Sequence, residues 1–399
     1  MKTGNGPLAM GVAAVAVLAV VSGGALAARR GPATSPSAAA QPLTASATPT
    51  AKQSTPKPPA TPPTTPKPSA TPVTTPSGPA IPTVKVDLTK LPVGREPQVA
   101  YLDGRVFKGG LGGDITIPGN QEILRAVRYD GDAMVVREVG LGGSELVRVS
   151  LDGVLPERTP DVASLVTSVN EDAIAYGTAR SNADHTRRKG NAVYWRNAFA
   201  DNKLDRPNDW YSTVLAVVDT TVYFAAGTDP NEPDATLNVW HTQTGKVEVL
   251  KSFKTPAGVD FQGTNGVDQL EGAEQTFCSA VRALADGAQL WRTCEYSLDG
   301  FTPDGQTVYA TPDFHNGGSN PSTTAIDSRS GTVRRQWTGV DFLTTTAEDD
   351  DHLLMAVDTG ENTASAIIRC SIGSGACELA TKPAKTPRRD ALRVMGGWS

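Results

Sequence analysis

The first part of the chain lacks several residue types that folded domains use. Residues 1–100 contain no Phe, Trp or Tyr, and the first acidic residue is Asp87. A segment without aromatic side chains has little with which to build a packed core. No cysteine precedes Cys278, which excludes a lipid-modified cysteine near the amino terminus. Most of the first hundred residues are therefore predicted to lie outside the folded domain.

Sequence motifs of common enzymes are also absent. The chain has no G-x-S-x-G, no H-E-x-x-H and no phosphate-binding loop motif. These motifs supply a nucleophilic serine, a zinc site and a phosphate cradle, respectively. The sequence therefore predicts no catalytic residue, no cofactor and no metal, although scattered active-site residues need no local motif.

An uncharged stretch, Leu8–Ala28, is rich in Ala and Val and ends in Ala25-Leu26-Ala27, which resembles a signal-peptide cleavage site. The same length meets the minimum for a membrane span, with Arg29 and Arg30 as flanking anchors. Residues 1–30 are predicted to be a signal peptide or an uncleaved membrane anchor. Either alternative places the rest of the chain outside the cell or on its surface.

Residues 31–83 are built from Pro, Thr, Ser and Ala. Proline fixes φ and favours extended geometry in the preceding residue, so this composition gives a disordered, semi-rigid linker. A spacer that holds a folded domain away from the cell surface is the favoured interpretation. A P-x-x-P docking peptide and a glycosylated stalk are the alternatives.

A short pattern recurs along the last three hundred residues: an alternating apolar run, a polar turn and a second alternating run. The turns lie near Gly113, Gly153, Asn202, Gly245, Gly287, Gly331 and Gly375. A hairpin that recurs every forty-odd residues predicts an all-β fold, a β-propeller of four-stranded antiparallel blades over residues 84–381. Seven blades are favoured and six are possible. Val84, Val86 and Leu88 alternate and are predicted to close the ring with the last blade.

Charge divides the chain in the same way. Residues 87–381 contain 25 basic and 41 acidic residues, a net charge of −16. An acidic domain repels a phosphate backbone, so nucleic acid is not an expected partner. Residues 382–399 are basic and are predicted to form a disordered tail. Membrane contact is expected only through residues 1–30.

Four cysteines allow three disulfide connectivities. Cys278 and Cys294 are symmetric about a predicted Asp-Gly turn, and Cys370 and Cys377 are symmetric about a Gly-Ser-Gly turn. Each pair then faces its partner across one hairpin, within disulfide reach. Two disulfides, 278–294 and 370–377, are predicted. The spacings do not match a zinc site, and free thiols are the other alternative.

Residues 301–310, Phe-Thr-Pro-Asp-Gly-Gln-Thr-Val-Tyr-Ala, resemble the repeat of TolB-like and WD-repeat-like bacterial propellers of the exported, actinobacterial type. The resemblance implies that Asp304-Gly305 forms the turn between the two inner strands of a blade. Looser matches begin at Tyr129, Asn170, Val218 and Glu348. It also implies a role in interaction with other molecules. The Ser-x-Asp-x-Gly-x-Thr-Trp box of sialidases is missing.

Four long polar loops are predicted between the second and third strands of their blades. Loops on a rigid scaffold often form binding surfaces. The candidate binding residues in these loops are His185, Arg187, Arg188, Lys189, Asp229, Glu232, Asp234, Asp313, His315, Asp358 and Glu361. The expected function is a non-enzymatic module that binds a protein or a cell-envelope glycan. The alternative is a carbohydrate-active hydrolase or lyase with paired carboxylates at the propeller channel.

Overall fold

The computed structural model describes residues 81–140, 142–182, 186–230, 235–271, 277–312, 320–360, 363–385 and 392–395. The predicted signal or anchor segment and nearly all of the linker lie outside this part of the chain. Six candidate binding residues also lie outside it: His185, Glu232, Asp234, Asp313, His315 and Glu361. Within the described ranges every helix or strand element is a strand. None of these residues forms a helix that is long and apolar enough to cross a membrane.

Twenty-eight strands follow one another along the described residues. The first fourteen are β1 (Thr83–Lys85), β2 (Tyr101–Asp103), β3 (Val106–Lys108), β4 (Ile115–Thr116), β5 (Ile123–Tyr129), β6 (Asp132–Val139), β7 (Gly143–Ser150), β8 (Gly153–Pro160), β9 (Val162–Thr167), β10 (Ala173–Thr178), β11 (Asn191–Asn197), β12 (Asp201–Arg206), β13 (Tyr211–Val218) and β14 (Thr221–Gly227). The others are β15 (Ala235–His241), β16 (Lys246–Leu250), β17 (Pro256–Val259), β18 (Asn265–Glu271), β19 (Phe277–Ala283), β20 (Gln289–Thr293), β21 (Tyr296–Phe301), β22 (Thr307–Pro312), β23 (Asn320–Asp327), β24 (Val333–Ala347), β25 (His352–Asp358), β26 (Ala366–Ser371), β27 (Cys377–Leu379) and β28 (Arg393–Val394).

Apart from β1, which pairs in parallel, the strands form antiparallel sheets in which chain neighbours are mostly sheet neighbours. Four sheets have four strands each, namely β5–β8, β9–β12, β13–β16 and β17–β20, and a fifth has the order β28-β2-β3-β4. Strands β21–β27 form one larger sheet, with β1 at the edge of β24. Second strands such as β6 and β10 are apolar and buried, because neighbouring sheets cover both of their faces. This arrangement is a β-propeller, as the repeat predicts.

Strand β24 is fifteen residues long and belongs to two groups of strands. Its first part, up to Thr338, pairs with β23, and its second part, from Asp341, pairs with β25, although Asn320 at the start of β23 also pairs with Phe342. Gly339 lies between the two parts with a φ of +98°, and a Cβ there would lie 2.6 Å from the carbonyl oxygen of Val86. Dividing β24 at Gly339 gives seven four-stranded groups among the described strands. This division is our interpretation, so the number of blades stays a prediction.

The ring closes differently from the sequence prediction. Residues near Val84 do not join the last blade, because β1 pairs in parallel with β24 at Gln336–Thr338, on the outer edge of the β21–β24 group. Val86 follows β1 and is buried beside Trp337. Strand β28 occupies the inner position next to β2. The carboxyl-terminal part of the chain therefore completes the group that begins with the amino-terminal strands.

The prediction of a disordered tail is wrong for residues 392–395. Leu392 and Val394 alternate with Arg393 and are 3% and 6% exposed, respectively. They pack with Tyr101 and Leu354, which gives this short strand an apolar face to bury. The basic composition of the segment concealed this pattern. Residues 386–391 and 396–399 lie outside the described part of the chain.

The predicted hairpin turns fall between the third and fourth strands of their groups, except that Gly153 is the first residue of β8 and Asn202 lies just inside β12. The resemblance at residues 301–310 is also confirmed as a turn between β21 and β22. The Asp304 carboxylate accepts hydrogen bonds from the Thr302 hydroxyl (2.7 Å) and the Gln306 N–H (3.0 Å). Gly305 adopts a φ of +69° there, which glycine allows without strain.

Both predicted disulfides are present. Cys370 and Cys377 lie directly opposite each other in the pairing of β26 and β27. Cys278 lies in β19 and bonds to Cys294, which directly follows β20. Each bond therefore ties the third strand of a group to its outer edge, where pairing is otherwise short.

Candidate functional site

Four long connections lie at one end of the strand groups. They join β10 to β11, β14 to β15, β22 to β23, and β25 to β26, each a second strand to a third. Because successive groups repeat the same strand order, these connections share one face of the propeller. We call it the long-loop face and define it by the described residues of these connections, 179–182, 186–190, 228–230, 359–360 and 363–365. The sequence assigned these loops to the same strand pairs.

The connection between β10 and β11 carries an exposed cationic cluster. Arg187, Arg188 and Lys189 are all exposed to solvent. The Arg187 guanidinium lies 5.1 Å from the ring centre of Tyr211, and the Lys189 ammonium lies 5.5 Å from that of Trp210. Tyr211 begins the next strand group, so these cation–π contacts hold the loop against its neighbour.

The base of the same loop is a small hairpin. Ser181 and Arg187 form an antiparallel bridge, and the backbone N–H of Arg188 donates to the carbonyl of Arg180 at 2.9 Å. The Asn191 side chain accepts the Arg180 N–H (2.8 Å) and donates to the carbonyl of Asp209 (2.8 Å). Backbone pairing and a buried amide thus fix the position from which the three cations project.

Of the acidic candidates, the described part of the chain contains Asp229 and Asp358. Both are half-buried. The Asp358 carboxylate accepts the Gly360 N–H at 3.0 Å, so it shapes its own loop. A binding role for these residues stays a prediction. In the described part of the chain, no group of three or more His, Cys, Asp or Glu side chains is arranged to hold a metal ion.

The channel has a polar cavity of about 330 Å³ towards the long-loop face. Thr311 and Asn320, which flank one long connection, line it together with Asp299 of β21. Asp299 lies at a bulge between Leu298 and Gly300, the kind of irregularity that redirects a side chain. It is the one carboxylate among the described residues that line this cavity.

Burial raises the pKa of Asp299 to about 7, although hydrogen bonds from the Thr311 hydroxyl and backbone N–H oppose the shift. The surrounding protein removes water that would solvate the charged carboxylate, and no neighbouring cation replaces it. Asp299 therefore changes its protonation state near neutral pH. A carboxyl group with such a pKa can donate a proton to a ligand or sense its charge.

We expect Asp299→Asn to stabilise the folded chain at pH 8 and to have little effect near pH 4. Because the folded-state pKa is raised, the carboxyl group's favourable contribution is complete below its unfolded pKa and is lost as pH rises through about 7. The full shift corresponds to an upper limit of about 4 kcal/mol. Thermal unfolding of both proteins at the two pH values measures the difference. Equal differences at both pH values would contradict the assignment, and exposed Asp114→Asn is the control.

A second cavity, of about 350 Å³, lies at the opposite end of the channel. Residues from turns between first and second strands, such as Val169, Pro303 and Glu348, line it. Arg125 of β5 and Arg393 of β28 also face this cavity. Burial lowers the pKa of both arginines. The lining also includes Arg128 and Glu171, so this cavity contains charged groups of both signs, whereas Asp299 is the one charged residue among the described residues of the first cavity.

Sequence reasoning identified neither Asp299 nor the two channel arginines. A signal for two of them exists, because Arg125 and Asp299 are charged residues inside otherwise largely apolar first strands, Ile-Leu-Arg-Ala-Val-Arg-Tyr and Tyr-Ser-Leu-Asp-Gly-Phe. A charged side chain in such a strand either has an oppositely charged or hydrogen-bonding partner or faces the channel. Arg393 gave no comparable signal, since it lies in a segment whose overall composition is basic.

Comparison with known proteins yields structural likeness only. No family model and no curated protein matches the chain, whereas 340 solved chains do. The β-propeller domain of the Trilobed protease from Pyrococcus furiosus is 10% identical, with 68% of this chain and 86% of that chain covered and a TM-score of 0.45. TolB from Acinetobacter baumannii is 13% identical, with 70% of this chain and 68% of that chain covered and a TM-score of 0.40.

Prolyl oligopeptidase B from Galerina marginata, as apo protein, is 9% identical, with 74% of this chain covered and a TM-score of 0.48. The matched part is 53% of that enzyme, so this chain spans about half its length. Identities of 9–13% bear on the fold alone. TM-scores below 0.5 support no statement about activity or ligand.

Proposed function

We propose that the chain is a non-enzymatic, exported binding module, a propeller on a proline-rich stalk that binds a protein or a glycan of the cell envelope through its long-loop face. The observation that carries the proposal is the exposed cluster of Arg187, Arg188 and Lys189, held against Tyr211 and Trp210 on that face. Arginine, tyrosine and tryptophan are the residue types that dominate binding energy at protein interfaces.

The local charge of this loop indicates which kind of partner it favours. The propeller is acidic overall, with a net charge of −16 over residues 87–381, yet this loop presents three adjacent cations. A local cationic site on an acidic surface favours a partner with a matching acidic group and disfavours extended polyanions. The two disulfides are compatible with an extracellular or periplasmic location.

Charge reversal of the cluster tests this function. We expect the variant Arg187→Glu/Arg188→Glu/Lys189→Glu to lose most of the envelope partner that the unaltered chain captures, because all three positive charges of the cluster become negative and repel an acidic partner. A control with the same change of net charge is Lys246→Glu/Arg292→Glu/Arg329→Glu, at exposed residues outside the four long loops. Equal capture by the two variants would reject the long-loop face as the binding surface.

Asp299 favours a second candidate, the carbohydrate-active hydrolase or lyase. Its pKa of about 7 suits a general acid in a channel cavity beside the long loops. A paired mechanism needs a second carboxylate, and the described residues around this cavity do not supply one. Release of sugar fragments from envelope polysaccharide by the unaltered chain, abolished in Asp299→Asn, would establish the enzyme. No release from such substrates leaves the binding module as the function.

A further inference from the structure

The cavity opposite the long-loop face contains charged groups that differ in their partners. The Glu171 carboxylate accepts the Leu111 N–H at 2.5 Å. Glu348 accepts from Arg369 and from the Gln98 N–H at 2.7 Å. Both acidic groups at the rim are therefore already engaged by the protein itself.

The arginines are engaged unequally. Arg128 also lines the cavity, but its guanidinium donates to the carbonyls of Gly109, Gly113 and Gly131 at 2.7–3.2 Å. Arg393 donates one hydrogen bond, to the Ile123 carbonyl at 3.1 Å. Arg125 makes no hydrogen bond and no ion pair with any residue that the structure describes, and only burial affects its pKa. A guanidinium has five N–H donors, so most donors of this pair are unused within the described chain.

Arg125 and Arg393 lie on neighbouring inner strands. The Arg393 guanidinium reaches Ile123, two residues before Arg125 on β5. A bulge between Ile123 and Arg125 leaves both Leu124 and Arg125 lining the cavity. Two cations thus share one wall of a partly enclosed space, where an anion is attracted more strongly than in bulk water.

The rest of the cavity wall is largely apolar. Leu165, Leu215, Phe261, Phe301 and Met395 contribute to it. A volume of about 350 Å³ lies within the range of small-molecule sites, which combine apolar walls with a few placed polar groups. An inorganic anion has no apolar surface to pack against these walls. An organic anion has such a surface and removes the walls from water on binding.

We propose that this cavity is a binding site for a small organic oxyanion, a carboxylate or phosphate carried on an apolar body, with its charge between Arg125 and Arg393. This site is separate from the long-loop face and goes beyond the function proposed above. The oxyanion accepts the unused guanidinium donors, and its apolar part packs against the leucine and phenylalanine side chains.

Calorimetric titration of the full-length chain tests the site with 4-phenylbutyrate, its neutral amide 4-phenylbutanamide, and inorganic phosphate. We expect saturable binding of the carboxylate, with the amide and the phosphate each at least about tenfold weaker. The amide lacks the negative charge, and inorganic phosphate lacks the apolar body. Arg125→Gln and Arg393→Gln should each weaken carboxylate binding at least about tenfold. Exposed Arg329→Gln is the matched control and should bind normally.

Thermal unfolding without ligand separates a binding role from a structural one. Removing a partly buried, unpaired cation should leave the melting temperature of Arg125→Gln unchanged or raised, while binding is lost. A lowered melting temperature with unchanged affinity would make Arg125 a structural residue and overturn the proposal. Absence of saturable carboxylate binding, or equal binding of the amide, would overturn it as well. Capture at the long-loop face is unaffected by Arg125→Gln in either case.

Discussion

Replacement of Arg369 by methionine is expected to lower the free energy of unfolding by about 3–5 kcal/mol, because a buried carboxylate loses its buried cation and keeps one longer ion pair, with exposed Arg95 at 3.3 Å. The Arg369 side chain is 3% exposed and pairs with Glu348, whose side chain is fully buried. Arg369 also donates to the carbonyls of Arg95 and Glu96, each at 3.0 Å, and it pairs with Glu378 of β27. One guanidinium therefore connects the last strand group with the segment that enters β2.

The effect depends on the weakened charge compensation of Glu348 rather than on lost packing, since methionine keeps most of the apolar stem. Urea unfolding of Arg369→Met measures the loss. The double variant Arg369→Met/Glu348→Gln also removes the buried negative charge of Glu348 and should recover a large part of the stability. Exposed Arg329→Met is the control, within about 0.5 kcal/mol of the unaltered chain. A loss below about 1 kcal/mol for Arg369→Met, or no recovery in the double variant, would contradict this reading.

Replacement of Val394 by aspartate is expected to open the ring, at a cost of about 3–5 kcal/mol. Val394 is 6% exposed and packs with Tyr101, Leu354 and Leu392. A carboxylate at this position is desolvated against apolar side chains, and the lost valine burial adds to the cost. Strand β28 has two residues, so it has few other contacts with which to keep its place beside β2.

Limited proteolysis distinguishes ring opening from general destabilisation. In Val394→Asp we expect cleavage within residues 101–116, the strands that β28 completes, at protease concentrations that leave the unaltered chain intact. Val249→Asp is the control, because Val249 is 47% exposed on the outer strand β16. Uniform cleavage throughout the chain, or resistance equal to that of the control, would contradict closure by β28.

The repeat was readable from the sequence because each strand group uses the same local chemistry. A polar turn around Gly245 or Gly331 is set by neighbouring residues, and the left-handed conformation there is cheap for glycine. The disulfide pairs were readable for the same reason, since a tight turn fixes which residues of a hairpin face each other. These features lie within about twenty residues of the chain and need no knowledge of the tertiary structure.

Ring closure and the channel were not readable in this way. Closure joins β2 to β28 across nearly three hundred residues of the chain. The local sequence Leu392–Val394 does not indicate the strand with which it pairs. The long β24 hides a boundary because one continuous strand serves two groups. Arg125 and Arg393 line one cavity through strands from opposite ends of the domain. Periodicity shows which residues face inwards, whereas the ring decides which inward residues meet.

The long-loop face and the opposite cavity give the two ends of the channel different chemistry. Cations held against Trp210 and Tyr211 project from one face, beside a cavity with the titratable Asp299. The other end presents guanidinium groups among apolar walls. The long loops and the turns at the other end lie at opposite ends of the strands, so each surface is expected to bind its ligand without the other.

Hydrogen–deuterium exchange of the full-length chain with its captured envelope partner tests the central claim most directly. The account predicts slower exchange in the residues of the long-loop face, and no change in the turns at Asp130-Gly131 and Asp304-Gly305 on the opposite face. Protection of those turns with unchanged long loops would contradict the claim that the long-loop face is the binding surface.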